Sequence, residues 1–328
     1  MHPIRRKLCA ALAMLPLALT VNTQAQAQTD AWPERPITMI VPFPPGGPTD
    51  LIARVIAKQL SDQVGQPVVV DNRGGANGTI GMTVAANAKA DGYTILYNTS
   101  SIALSPNLYS KLAFDPVKDF DAVTSTAVIP MVLLVHPSVP ANSVQEFIEY
   151  AKQKPGALSY GSAGAGNITH LSAFLFNQST GIDAVHIPYR GSSPAMTDLV
   201  GGQTQFMTNT LNDSLPYIHE KRLKALAITS AQRSPALPDV PTVAESVIPN
   251  FDMGAWQGIV VPAGTPPAII ERLNKEVLTA LKTPTILEQL ATQGAQPLGS
   301  SAQEYDAYIK DEIKRLGDVI TAAGVQLN

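Results

Sequence analysis

The stretch Val41-Pro42-Phe43-Pro44-Pro45-Gly46-Gly47-Pro48-Thr49-Asp50 joins a short apolar run, Ile37–Val41, to an amphipathic segment that opens Leu51-Ile52-Ala53-Arg54. An extended run, a stiff loop and then a helix form the repeating unit of α/β folds. The prolines stiffen the loop, and the two glycines let its backbone approach a ligand closely. Thr49 or Asp50 can cap the helix. The first amides of a helix have no partner within it, so this loop suits an anion. No Lys follows the glycines, which excludes a nucleotide P-loop and favours a small carboxylate.

The same alternation continues along the chain. The helix from Thr49 to about Val64 stops at Gly65, with Leu51, Ile52, Val55, Ile56, Leu60 and Val64 on one face. Pro67–Val70 and Tyr93–Tyr97 read as strands, separated by the Gly-rich loop Asn72–Gly78 and an Ala-rich helix, Ile80–Ala90. Met131–Val135 is a buried-type strand, and Ser143 with Glu146 makes a capping box for Val144–Lys154. Leu158–Tyr160 opens onto Gly161-Ser162-Ala163-Gly164-Ala165-Gly166-Asn167, followed by the helix Ile168–Ser179. Further strands are expected at Val185–Tyr189, Ala225–Ile228 and Trp256–Pro262, with closing helices at about Pro267–Leu281 and Ala302–Ala323. The order predicts α/β with a largely parallel sheet. The loops Val41–Asp50 and Gly161–Asn167, each leading from a strand into a helix, lie about 120 residues apart, as expected if each of two lobes offers one loop to a shared cleft.

Residues 1–27 read as an export leader rather than as part of the fold. Arg5, Arg6 and Lys7 precede an apolar stretch, Leu8–Val21, and Ala25-Gln26-Ala27 is a small-x-small cleavage site that would leave Gln28 first. The apolar stretch is short for a membrane anchor, which needs about 20 residues. The only cysteine, Cys9, falls in this leader, so the mature chain is expected to hold no disulfide and no cysteine metal site. Net charge is −3 for the whole chain, and loss of Arg5, Arg6 and Lys7 leaves −6, which argues against nucleic acid as a partner.

Enzyme patterns fit poorly. Tyr160 stands where a nucleophile elbow needs its first glycine, and Gly161, Gly164 and Gly166 do not have the spacing of a dinucleotide loop. The better reading of this loop is a nest of backbone amides with the Ser162 hydroxyl, Asn167 capping the helix and His170 one turn in, facing the loop or the core. A triad of Ser162, His170 and Asp198 is conceivable, but no spacing demands it. His2, His136, His186 and His219 are scattered without metal-ligand spacing. Asp71, Asp91, Asp115, Asp119 and Asp121 read as turn residues, and Trp32 and Trp256 as packing residues. Arg190 could pair with a ligand carboxylate or lie on the surface.

The sequence resembles the extracytoplasmic solute receptors of tripartite tricarboxylate transporters, the Bug family. The resemblance rests on Arg35-Pro36-Ile37, Val41–Asp50, Gln66–Val70, Asn72-Arg73, Asp91–Thr94, Pro106–Tyr109, Tyr160–Asn167, His186–Gly191, Pro238–Thr242, Trp256–Gly258 and Pro262–Pro266. It implies a two-lobed periplasmic binding protein of type II-like fold. Each lobe would be a mainly parallel sheet flanked by helices, with the ligand cleft between. Lobe 1 would be 28–130 plus 259–328 and lobe 2 would be 131–258. Met131–Val135 and Gly258–Val261 would carry the crossovers. Phe43 and Pro44 would pack on the ligand. Gly46, Gly47, Thr49 and Asp50 would meet one carboxylate. Ser162, Ala163, Gly164, Gly166, Asn167 and His170 would offer the second lobe's contacts, with Asn98 and Thr99 at a strand end beside them. The family usually carries Asp-Asn near Thr208-Asn209 or Asn209-Thr210, and this chain lacks that Asp.

The expected function is capture of a small carboxylate (a di- or tricarboxylate, an acidic amino acid or an aromatic acid) for delivery to membrane transporter subunits. A sensor presenting its closed form to a signalling ectodomain is an alternative, and an exported hydrolase using Ser162 is another. No catalytic residue, metal or cofactor is assigned, and a monomer is expected.

Overall fold

The computed structural model describes residues 32–327, so the expected leader, its cleavage after Ala27 and Cys9 lie outside the described residues. Among the described residues ten strands make one sheet: β1 (Ile37–Val41), β2 (Val68–Asn72), β3 (Thr94–Thr99), β4 (Phe120–Val135), β5 (Leu158–Ser162), β6 (Ala184–Pro188), β7 (Phe206–Thr210), β8 (Lys224–Ile228), β9 (Gly254–Pro262) and β10 (Gln296–Pro297). Their order is β2-β1-β3-β9-β4-β7-β5-β6, with β8 and β10 also pairing β4. The strands β1, β2 and β3 are parallel, as are β5, β6 and β7.

The middle of the sheet is antiparallel, and this corrects the expectation of a mainly parallel sheet. β9 runs against both β3 and β4, and β4 runs against β7 and β8. The reason is topological. β4 leaves the first half of the sheet and β9 re-enters it, so the two run in opposite directions side by side. Along β4 the pairing changes hands: Phe120–Pro130 lies beside β9, and Met131–Val135 lies beside β7 and β8. The fold is thus two half-sheets flanked by helices, with β4 running through both and β9 returning the chain to the first, a mixed α/β architecture.

Burial explains why Met131–Val135 is apolar without alternation. Met131, Leu133 and Val135 pack into one core, while Val132 and Leu134 face another with Met207, Leu199 and Ile228. A strand covered on both faces has no polar side. In the first half-sheet, Met39, Val41, Ile95 and Ile259 pack on Ile52, Ile56 and Leu60 from the helix Pro48–Val64 and on Leu273 and Val277 from the helix Pro267–Ala280.

Several local expectations need correction. The helix Pro48–Val64 is capped by Gly47 with no side-chain bond, so neither Thr49 nor Asp50 is its cap, although Gly65 does end it in the left-handed conformation. Leu51, placed on the buried face, is 39% exposed. The Ala-rich helix runs only Thr79–Ala86. Ser143 accepts from the Glu146 amide as expected, but the Glu146 carboxylate reaches back to Asn142 N–H rather than to Ser143. The helices Ser101–Leu108, Leu211–His219 and Pro284–Thr292, the strand β7 and the first half of β4 had no clear sequence signal. In β4 the polar run Thr124-Ser125-Thr126 masks a strand whose hydroxyls are all engaged internally: Thr124 donates to Ser300 O (2.8 Å), Ser125 to Ser300 Oγ (3.1 Å), and Thr126 meets the Tyr97 hydroxyl (2.9 Å). Trp32 and Trp256 are buried, as packing residues should be.

Candidate functional site

The half-sheets meet at a cleft where strand ends and helix N-termini converge. From the first half come Phe43, Pro48 and Thr49 in the first loop, Thr99, Ser100 and Ser101 after β3, and Ile129, Ala255 and Gln257 from the joining strands. From the second half come Ala163, Asn167, Ile168 and Thr169, with Ser192, Thr210 and Asp213 opposite. They enclose about 150 Å³, room for a small acid rather than a drug-sized ligand.

A larger cavity, about 790 Å³, lies on the far face of the joining strands, lined by Val128, Trp256 and Tyr305 among others. Strand alternation separates the two: Trp256 faces the far cavity and its neighbours Ala255 and Gln257 face the cleft. Neither Gly-rich loop reaches the far cavity, and the Glu312 carboxylate there is already held by Trp256 Nε1 (2.9 Å) and Arg315 (2.6 and 3.0 Å). The cleft is therefore the candidate site.

The first loop is held from beneath. Asp50 Oδ2 accepts the Gly46 amide (2.8 Å) and Arg54 Nε (3.0 Å), while Oδ1 accepts Asn72 Nδ2 (2.9 Å). Asn72 Nδ2 also donates to Phe43 O (3.0 Å), and Arg54 donates to Asn72 Oδ1 (2.9 Å). Burial alone would raise the Asp50 carboxyl, but hydrogen bonds from Arg54, the Gly46 amide and Asn72, with the Arg54 charge, hold it below its ordinary value. Asp50 thus shapes the loop and has its oxygens engaged away from the cleft. Asp50→Asn is expected to cost about 1–2 kcal/mol, read as a lower urea midpoint, because one buried acceptor becomes a donor facing Arg54 or Gly46. Gly46 takes a positive φ of 84°, which a side chain would strain. Gln257 supports the loop from the joining strand: its Oε1 accepts the Tyr97 hydroxyl (2.8 Å) and its Nε2 lies 3.4 Å from Thr49 Oγ1. The first intrahelical bond is Leu51 N–H to Gly47 O (3.0 Å), so the Thr49 and Asp50 amides precede it as open donors.

The second loop is more self-contained than a nest of free amides. The Ala163 amide donates to Thr169 Oγ1 (2.9 Å), the Gly164 amide to Ser162 Oγ (3.2 Å) and the Gly166 amide to His170 Nδ1 (3.2 Å). Asn167 does cap the helix Ile168–Thr180, its Oδ1 accepting the Thr169 amide (3.0 Å). This orientation leaves the Asn167 Nδ2 group for the cleft.

Of the sequence-derived site residues, the fold brings Phe43, Thr49, Thr99, Ala163 and Asn167 to the cleft lining. Pro44, Gly46, Gly47, Asp50, Gly164 and Gly166 shape the two loops behind it. Asn98 faces the other side of β3 and exchanges hydrogen bonds with the Tyr305 hydroxyl (2.9 Å). Ser162 and His170 are buried beneath the second loop, and Arg190 is exposed outside the cleft. Thr208 and Asn209 are fully buried and engaged with Thr169 O (2.7 Å) and Ser192 Oγ (3.1 Å); that segment reaches the cleft through Thr210 and Asp213 instead. Asp213 and Ser192 carried no sequence signal, and Thr210 and Gln257 fell in stretches named for the resemblance without a site role, because only strand pairing decides which of these side chains reach the cleft.

Ser162 has a histidine partner, but it is His186 and not His170. Their Oγ and Nε2 atoms are 2.7 Å apart, and His186 stacks on His170 with centroids 3.7 Å apart. Asp198 instead accepts the Tyr189 hydroxyl (2.7 Å). Ser162 is fully buried, so this pair braces the loop and presents no nucleophile to the cleft. Among the described residues no three His, Cys, Asp or Glu groups could hold a metal, and no helix is long and apolar enough to cross a membrane.

Comparisons with known proteins identify the family and the fold. Residues 52–325 match the model of the family described as tripartite tricarboxylate transporter family receptor. Protein BugT of Bordetella pertussis is 39% identical over 310 residues, 94% of this chain and 95% of the relative. The solved structure of Rhodopseudomonas palustris Rpa4515 with adipate is similar with TM-score 0.81 and 37% identity, covering 90% of this chain and 100% of that one. MatC (Rpa3494) from Rhodopseudomonas palustris with bound malate gives TM-score 0.76 and 33% identity, over 88% and 100%.

Proposed function

The chain belongs to the tripartite tricarboxylate transporter receptor family, and on that premise we propose that it holds one small carboxylate in the cleft between its half-sheets for a membrane transporter. The observation that carries this reading is the pairing of two helix N-termini, at Thr49 and Ile168, across a small cleft whose donors are uncharged. Helix-end amides, hydroxyls and the Asn167 amide favour an anion without fixing what is attached to it. Two relatives solved with dicarboxylic acids, adipate and malate, support the same chemistry.

In this proposal the chain is a periplasmic receptor and not an enzyme. Phe43 covers the apolar part of the ligand, while Thr49, Thr99, Asn167 and the amides beside them bind its carboxylate. The lobes 28–130 plus 259–328 and 131–258 close by a hinge in β4 and β9, and the closed form, a monomer, docks on the transporter. Closure follows only from tighter ligand contact in the closed state. The leader is removed after Ala27 on export.

Isothermal titration and thermal-shift measurement against di- and tricarboxylates, amino acids and aromatic acids test the proposal. One acid or acid class is expected to bind and to stabilise the fold by about 2.7 kcal/mol at a hundredfold excess over Kd. Absence of both heat and thermal shift with every acid would sink it.

A further inference from the structure

Asp213 is the one charged side chain among the described residues that line the cleft. It stands in the first turn of the helix Leu211–His219, on the half-sheet opposite Thr49. Its hydrogen bond comes from the Thr210 hydroxyl, at a long 3.3 Å. None of the ion pairs among the described residues includes it. Burial pushes its carboxyl pKa up, and the Thr210 bond opposes this only in part.

The contrast with Asp50 is instructive. Both acids sit in the first turn of a helix that enters the cleft region, but Asp50 meets Arg54, the Gly46 amide and Asn72. Asp213 has no such set, and the cleft holds no Lys, Arg or His that a ligand would displace from it. A ligand bearing only carboxylates would bring like charge into about 150 Å³ that already contains an unpaired carboxylate. Like charges in a partly desolvated site oppose binding, and an opposite charge there favours it.

The geometry points to a ligand that carries a cationic nitrogen together with its carboxylate, the ammonium group resting against Asp213 and the carboxylate against the neutral donors at Thr49 and Asn167. This rests on the carboxylate reading above and narrows it to amino acids. Asp213 is then the residue that sets specificity. The expected ligand differs in charge from the adipate and malate held by the two solved relatives.

Matched pairs test this by isothermal titration: aspartate against succinate, glutamate against glutarate, and 4-aminobutyrate against butyrate, with wild type and Asp213→Asn. The wild type is expected to bind the amino member of at least one pair roughly tenfold or more tighter than its deaminated partner. Asp213→Asn keeps the shape, removes the charge and is expected to erase or reverse that ratio, with its melting temperature reporting that it remains folded. Equal or tighter binding of the deaminated acids by the wild type, with the ratio unchanged in Asp213→Asn, overturns the inference while leaving the carboxylate reading intact. No binding of any acid overturns both.

Discussion

Gly258→Ala is expected to destabilise the protein by about 3 kcal/mol, the upper end of what overpacking costs in a closed core. Gly258 lies in the middle of β9, paired with Asn98 on one side and Ser125 on the other. A Cβ there would overlap the hydroxyl end of Tyr305. Tyr305 is buried and its hydroxyl exchanges hydrogen bonds with Asn98, so a shift of its ring toward the neighbouring far cavity would break those bonds. The strand cannot yield, since it is laddered on both edges. A chemical denaturation series should show the loss as a lower midpoint at unchanged slope. Because Gln257 is the adjacent residue and reaches toward Thr49, ligand affinity should fall as well. A change below 0.5 kcal/mol, the usual scale of a harmless surface substitution, would show that the crossover is loosely packed.

Acid is the second lever. His170 and His186 stack at 3.7 Å, and each has a lowered pKa of about 4. Burial is the main cause for both, and for His170 the neighbouring His186 adds to it. In the unfolded chain a histidine titrates near 6.5. Between pH 6.5 and 4 the unfolded state therefore binds more protons, and stability falls as pH falls. The contribution is complete above about pH 6.5 and is lost by about pH 4. Each pKa unit is worth about 1.4 kcal/mol, and with His186 only partly buried the pair should contribute on the order of 2 kcal/mol. The loss is local in origin: His170 Nδ1 accepts the Gly166 amide and must be unprotonated to do so. Urea midpoints measured from pH 7.5 to 4.5 should drop in the wild type and drop less in His170→Gln. Parallel profiles for the two proteins would mean that the stack is not what acid breaks.

Much of the fold was legible because its signals are local. The apolar run Ile37–Val41, the helix stop at Gly65 and the Asn167 cap each depend on a few neighbouring residues and were read correctly. Neither Thr49 nor Asp50 caps its helix, because Gly47 and Pro48 complete that turn without a side chain, freeing Asp50 to bind Arg54 and Asn72. The strand through Thr124-Ser125-Thr126 was hidden because its hydroxyls find partners at Ser300 and Tyr97, far away in the chain.

By itself the sequence determined an α/β chain with two Gly-rich strand-to-helix loops and no catalytic pattern, because loop stiffness, helix capping and apolar runs are written in consecutive residues. Only the tertiary structure decided which of those loop groups face the cleft. It turned the Ala163, Gly164 and Gly166 amides inward, brought Thr49 and Asn167 together across the cleft, and set Asp213 among neutral donors without a cation. Each outcome depends on strand register and on which face of β4 and β9 a side chain occupies. Those are fixed by pairing between segments that lie far apart in the chain, and no local pattern encodes them.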